Sequence, residues 1–323
     1  MEHQQKQHLF NSLWGLPVSA SHNPSPTPVT LTREDLSSWK KPWKYVVSEK
    51  TDGERATLLL GKRNTWVAKT SRSTGKTYYH NKETNETSWK KPNENYMVLV
   101  RRNREIIEMD YNMAVPNDLF DGTMFDGEWI KETFVIFDTI AVKGDSVKNE
   151  SFEERLNVAK ELLPSIVTSG WNLHVKKFYD CEDLQTLCAQ IKEGKKGKTD
   201  GLIFMPKFEA VSTGRSWNMK KWKPTLLNTI DLHHCKGIWS CIGYDGDTMA
   251  YPISLDGGLS REGIYELRPT VLDTEGVNPF NKYTWQIYTE RKDKKYPNHI
   301  TTIEKTLETI DEDITMEEIV STF

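Results

Sequence analysis

Apolar residues come in short runs along most of this chain, a pattern that predicts strands more often than helices. Runs at 45 to 47 and 56 to 60 flank the polar stretch Lys50-Thr51-Asp52-Gly53-Glu54-Arg55, and further runs lie at 96 to 100, 124 to 130, 134 to 142 and 202 to 205. Residues 152 to 163 have helical spacing and helix-favouring composition instead. Residues 66 to 92 differ in texture, with a Trp near either end, few aliphatics, and turn residues at Ser73-Thr74-Gly75 and Glu83-Thr84-Asn85, which predicts three short strands. Beyond Pro224, apolar runs at 238 to 244 and 285 to 288 alternate with Gly and Asp, as in a small β-barrel. Thr32 with Asp35, Thr301 with Glu304 and Thr315 with Glu318 have capping-box spacing and predict helix starts. The first residues, rich in His, Gln, Ser and Pro, read as a tail.

A chain of 323 residues has room for two domains. With 37% hydrophobic and 28% charged residues it has a globular composition, and no apolar run approaches the ~20 residues of a membrane span. Cys181, Cys188, Cys235 and Cys241 lack zinc-site spacing and are expected to be reduced and structural. A net charge of −3 argues against a general grip on nucleic acid, yet cations are concentrated at 192 to 198, 220 to 223 and 291 to 295.

Charged residues recur at the edges of the apolar runs: Lys50 with Arg55, Arg102, Asp126 with Glu128, Asp138, Asp200, Lys221 with Lys223, and Arg291 with Asp293 and Lys294. Singly, each reads as a solvated turn or strand edge. Together they supply an amine nucleophile, cations for a polyphosphate and carboxylates for a metal and a sugar, which a nucleotide-transferring site requires.

Six ordered segments resemble the mRNA capping enzymes, the GTP:RNA guanylyltransferases of the covalent nucleotidyltransferase superfamily, and most of all the compact large-DNA-virus type. They are Lys-Thr-Asp-Gly-Glu-Arg at 50 to 55, Phe-Asp-Gly-Glu at 125 to 128, Phe-Val-Ile-Phe-Asp at 134 to 138, Thr-Asp-Gly-Leu-Ile at 199 to 203, Lys-Trp-Lys-Pro at 221 to 224 and Arg-Lys-Asp-Lys at 291 to 294. The resemblance implies that Lys50 attacks the α-phosphate of GTP and carries GMP to the 5′-diphosphate end of RNA. Lys221 and Lys223 would sit on that phosphate, and Asp200 would hold Mg²⁺ or Mn²⁺. Glu128 and Arg102 would contact the ribose, with Arg101 and Arg104 as neighbouring candidates, and Arg55 would reach the sugar and phosphate. Phe137 would stack on guanine and Lys176 or Lys177 would help with the base. Arg291, Asp293 and Lys294 would act on the leaving pyrophosphate when two domains close.

Trp66, Tyr78-Tyr79, Asn81, Trp89 and Pro92 resemble a WW domain, although Lys62-Arg63-Asn64-Thr65 replaces the usual Leu-Pro ahead of the first Trp. That resemblance implies a proline clamp of Tyr78 and Trp89. Ser71 and Arg72 would grip a phosphoserine before proline, as on the phosphorylated tail of RNA polymerase II.

The expected fold class is α+β: a nucleotidyltransferase domain of antiparallel sheets and helices (24 to 65 and 93 to 229), a three-stranded WW-like insert (66 to 92), and an OB-fold barrel (230 to 300). A flexible tail (1 to 23) and C-terminal helices packing back on the large domain (301 to 323) complete it. A separate RNA triphosphatase and cap methyltransferase would supply the other capping steps, in the nucleus or, for a viral protein, in a viral factory. An ATP-dependent polynucleotide ligase and an inactive phospho-tail adaptor are the alternatives.

Overall fold

The computed structural model describes residues 2–39, 42–255, 261–272 and 283–323. It divides into two compact units: Met1–Val29 with Trp43–Asp180 and Phe204–Met219, and Thr30–Pro42 with Cys181–Ile203 and Lys220–Phe323.

The first unit is built on a seven-stranded sheet. From edge to edge run Asp145–Ser146, Thr133–Val142, Thr123–Ile130, Glu54–Lys62, Asn95–Arg101 and Ile106–Glu108, all antiparallel, with Asn172–Val175 added parallel to Thr133–Val142. Strand side chains alternate between faces, so the unbroken run Leu58-Leu59-Leu60 requires cover on both sides. Leu58 and Leu60 enter a core with Phe125, Phe134 and Ala159 of the helix Phe152–Leu162, whereas Leu59 enters one with Phe10, Leu13 and Trp14.

The last three belong to the helix Glu2–Trp14, so the expectation of a flexible tail over 1 to 23 does not hold. Phe10, Leu13 and Trp14 form a short apolar face that the Gln- and His-rich first turns conceal in the sequence. Arg104 fixes the helix from the sheet side, donating to Asn11 Oδ1 at 2.7 Å with its guanidinium 4.2 Å from the Phe10 ring centre.

A five-stranded sheet has the order Thr27–Thr30, Arg215–Trp222, Thr199–Pro206, Tyr45–Thr51, Tyr179–Asp180. The insert forms its own antiparallel sheet of Trp66–Thr70, Thr77–Asn81 and Thr87–Ser88.

The second unit carries a six-stranded sheet in the order Thr248–Ala250, Ile238–Ile242, Ile230–Cys235, Gly263–Leu272, Tyr283–Glu290, Ser254–Leu255. Among the described residues no pairing joins its two edges into the closed barrel expected for 230 to 300. Ile300, Ile303 and Ile310 of the helix Ile300–Glu312 pack into this sheet's core. That helix therefore covers the small sheet, whereas the next, Met316–Thr322, meets Lys192 and Arg33 through Glu317 and Glu318. The Thr32, Ser151 and Thr315 capping boxes form, but the expected box at Thr301 does not: Ile300 begins the helix and the His299 ring accepts from the Thr301 N–H at 3.3 Å. All four cysteines are unbridged, and burial pushes the Cys188 thiol up to about 11. No helix among the described residues is long and apolar enough to cross a membrane.

Candidate active site

Lys50 is half-buried near the end of the strand Tyr45–Thr51, whose Val46, Val47 and Ser48 anchor it in the interior. The turn that follows lies tightly on the strand Thr123–Ile130. A Cβ at Gly53 would stand 2.7 Å from Glu128 Cγ and 2.6 Å from Ile130 Cγ1, so only glycine fits there. This proximity lets the Gly53 N–H donate to Glu128 Oε1 at 3.3 Å while the Thr51 hydroxyl donates to Oε2. From the other side the buried Lys176 donates to Thr51 Oγ1 at 3.0 Å. Glu128 and Lys176 thus meet on the residue next to Lys50.

One strand over, Arg55 forks onto the buried Asp126 at 3.2 and 2.6 Å and donates to the Pro26 carbonyl. Its guanidinium lies 5.1 Å from the centre of the half-buried Phe137 ring. Asp138 has a different office. It is buried against Arg155, with contacts of 2.7 and 2.9 Å, and Arg155 also donates to the carbonyls of Glu150 and Glu209. Burial drives the Asp138 carboxyl upward, and the Arg155 fork opposes that drift.

In the second unit Asp200 pairs with Lys223 at 2.6 Å. Gly201 makes this possible: with φ of +147° and the Trp222 carbonyl oxygen 1.9 Å from where a Cβ would stand, the strands Thr199–Pro206 and Arg215–Trp222 approach too closely for any other residue. Lys221 is half-buried on the second of these strands, its carbonyl accepting from the Leu31 N–H at 2.8 Å. Among the described residues no group of three or more His, Cys, Asp and Glu side chains could hold a metal. A divalent ion at Asp200 would therefore take its remaining ligands from nucleotide phosphates and water, a donor set that suits Mg²⁺.

Arg291 and Lys294 share the buried carboxylate of Asp231, Arg291 at 3.3 Å. Arg291 also forks onto Asp293 at 2.9 and 2.8 Å and lies 3.5 Å from Glu266, and its guanidinium draws the Asp293 carboxyl down to about 2. Arg102 stands exposed in the turn after Asn95–Arg101, and the structure does not bring it to Thr51 or Glu128. Arg101 instead reaches Glu54 at 3.2 Å, and Arg104 is committed to the N-terminal helix.

In the insert, Lys69, Ser71, Arg72, Tyr78, Ser88 and Trp89 line an open groove of about 750 Å³. The Tyr78 and Trp89 rings stand edge to face, 6.1 Å apart, and Trp89 is 63% exposed. Where the Leu-Pro is missing, Glu94 closes the base by accepting from Thr65 Oγ1 at 2.8 Å and the Trp66 N–H at 3.0 Å.

Profiles described as the mRNA capping enzyme catalytic domain and C-terminal domain match residues 88–225 and 266–320. A WW-domain profile matches 64–92. An mRNA-capping enzyme of Caenorhabditis elegans is 23% identical over 310 residues, covering 89% of this chain and 46% of the relative. The mRNA-capping enzyme subunit alpha of Kluyveromyces lactis is 27% identical over 240 residues, covering 65% and 46%. This chain belongs to the mRNA capping enzyme family. The chain spans about half the length of these curated relatives. Among solved structures it is similar to a Lig E DNA ligase, with a TM-score of 0.41, 15% identity and coverage of 83% of this chain and 99% of that one. A mycobacterial DNA ligase D gives 0.42, 14%, 84% and 96%.

Arg102, Glu128, Phe137, Lys176, Asp200, Lys221 and Lys223 lie within the catalytic-domain match, whereas Lys50 and Arg55 precede it. Sequence reasoning missed the parts played by Thr51, Arg155, Asp231 and Glu94. Thr51 sits inside a motif already singled out, and Asp231 follows an apolar residue at a strand start, so both were findable as polar residues at strand edges. Arg155 and Glu94 carry no local mark, because their partners lie 17 and 29 residues away.

Proposed function

We propose that this chain is an mRNA guanylyltransferase. The observation that carries the reading is the convergence of Glu128 and Lys176 on Thr51, beside Lys50, with Arg55 lying on Phe137. The Lys50 amine attacks the α-phosphorus of GTP, an N–P bond forms, and the bond to the bridging oxygen breaks to release pyrophosphate. A terminal oxygen of an RNA 5′-diphosphate then attacks the same phosphorus, breaking the N–P bond and returning the lysine. Lys221 and Lys223 offset the negative charge that develops on the α-phosphate. Asp200, with phosphate and water, would hold Mg²⁺ or Mn²⁺, whose chemistry is further charge neutralisation there. Arg291, Asp293 and Lys294 serve the leaving pyrophosphate, and Phe137 the guanine face.

The insert receives phosphorylated Ser-Pro repeats of the RNA polymerase II tail, the proline between Tyr78 and Trp89 and the phosphate on Ser71 and Arg72. Support comes from the open aromatic pair beside those two polar side chains.

Incubating the protein with α-labelled GTP or ATP and divalent cation tests the catalytic reading. An acid-labile, alkali-stable adduct is expected from GTP and is abolished by Lys50→Ala. Labelling from ATP alone, or labelling that survives the substitution, would overturn it.

A further inference from the structure

Besides Trp89 of the insert, three large aromatic side chains stand well out of the first unit: Trp43 at 52% exposure, Phe208 at 56% and Trp217 at 66%. They come from neighbouring strands. Trp43 leads into Tyr45–Thr51, Phe208 follows Thr199–Pro206, and Trp217 lies near the start of Arg215–Trp222. The Lys207 N–H donates to the Lys44 carbonyl at 2.8 Å, and Asn218 reaches Glu209 at 2.7 Å, so the three segments gather at one end of the sheet. The Trp43 and Phe208 rings are 5.9 Å apart. Each tryptophan also carries its own cation, Lys44 at 5.8 Å from the Trp43 ring centre and Arg215 at 5.4 Å from that of Trp217. Lys207, by contrast, is taken up by Asp180 and by Glu153 at 3.9 Å.

Single exposed apolar residues are ordinary, but a cluster of wide rings left in water forgoes burial that the core could have used. Rings set beside cations match one chemistry well. A base has a flat π-face for each ring, and the phosphate next to it suits the neighbouring cation. We propose that this end of the sheet holds the single-stranded 5′ segment of the RNA acceptor, with Trp43, Phe208 and Trp217 stacking on bases and Lys44 and Arg215 contacting phosphates. The choice of RNA rests on the guanylyltransferase reading. None of these residues has a part in the chemistry at Lys50.

The test is fluorescence anisotropy with a short unstructured RNA carrying a 5′-hydroxyl, which cannot accept guanylate. Each of Trp43→Ala, Phe208→Ala and Trp217→Ala should weaken binding about tenfold, and the triple variant by two orders of magnitude or more. Trp217→Tyr keeps most of the affinity, which separates stacking from a folding defect. Lys44→Gln and Arg215→Gln should each flatten the log-log salt dependence by about one. Adduct formation on Lys50 stays at the wild-type level throughout. Wild-type RNA binding by a folded triple variant would overturn the proposal, as would loss of phospho-tail peptide binding in place of RNA binding. Failure of GTP labelling would instead strike the guanylyltransferase reading, leaving the anisotropy result to stand on its own.

Discussion

Arg155 and Arg55 each fork onto an aspartate, and the two aspartates, Asp138 and Asp126, are direct partners across adjacent strands. Their settings differ. The Arg155 side chain is 3% exposed and its Nη1 donates to two backbone carbonyls, whereas that of Arg55 is 23% exposed and lies against Phe137. Equal chemistry, sealed in one place and half-open in the other, separates a fold-holding pair from one that can offer a face to a ligand. The second unit repeats the half-open kind, with Asp231 buried and its partners Arg291 and Lys294 partly in solvent. In each half-open case the acid fixes the cation's position and the cation retains an outward surface.

The largest expected effect is at the sealed pair. Arg155→Met leaves Asp138 buried without its partner and should cost about 3–5 kcal/mol in chemical denaturation. Asp231→Asn should cost about 1–3 kcal/mol by the same measurement and, because it loosens two cations at once, should also raise the KM for GTP in pyrophosphate release assays. Arg55→Ala strands the buried Asp126 but opens it to water through the partly exposed position that Arg55 leaves, so it should cost about 1–3 kcal/mol, less than Arg155→Met, while lowering nucleotide adduct formation at least tenfold. If Arg55→Ala destabilises as much as Arg155→Met, the distinction between the two pairs collapses.

The smallest effect is one of pH. The Thr315 N–H, and after it Arg33, hold the Glu318 carboxyl below its ordinary range. A carboxyl lowered on folding contributes fully above its unfolded value near 4.5 and loses that contribution as pH falls through the lowered folded value. Protection factors across Met316–Thr322, which correct hydrogen exchange for its intrinsic pH dependence, should therefore fall at pH 3 relative to pH 6, while those of Phe152–Leu162, held by the buried Phe152 and Leu156, change less.

Much of this was legible because period and motif agree. The runs at 96 to 100 and 124 to 130 sit inside Asn95–Arg101 and Thr123–Ile130, and the motif glycines at 53 and 201 mark places where backbones approach within reach of a missing Cβ. The illegible parts depend on distant partners. Nothing near Glu2–Trp14 says that Leu59, Val98 and Met124 need cover on their face of the sheet, and nothing near Asp138 says that Arg155 will claim it. Arg102 shows the same limit. Three arginines lie within four positions, and only the turn geometry decides that Arg101 faces Glu54, Arg104 turns inward and Arg102 points to solvent.

The base of the insert has an evolutionary corollary. Lys62 and Asn95 are cross-strand partners in the main sheet, and Glu94 ties the insert's first strand back to that point. The groove-bearing sheet is therefore spliced into a hairpin whose two arms already match in register. Swapping 63 to 94 for a tight Asn-Gly turn would leave the surrounding strands aligned. A lineage could gain or shed this cassette, groove included, without redesigning the body that carries it.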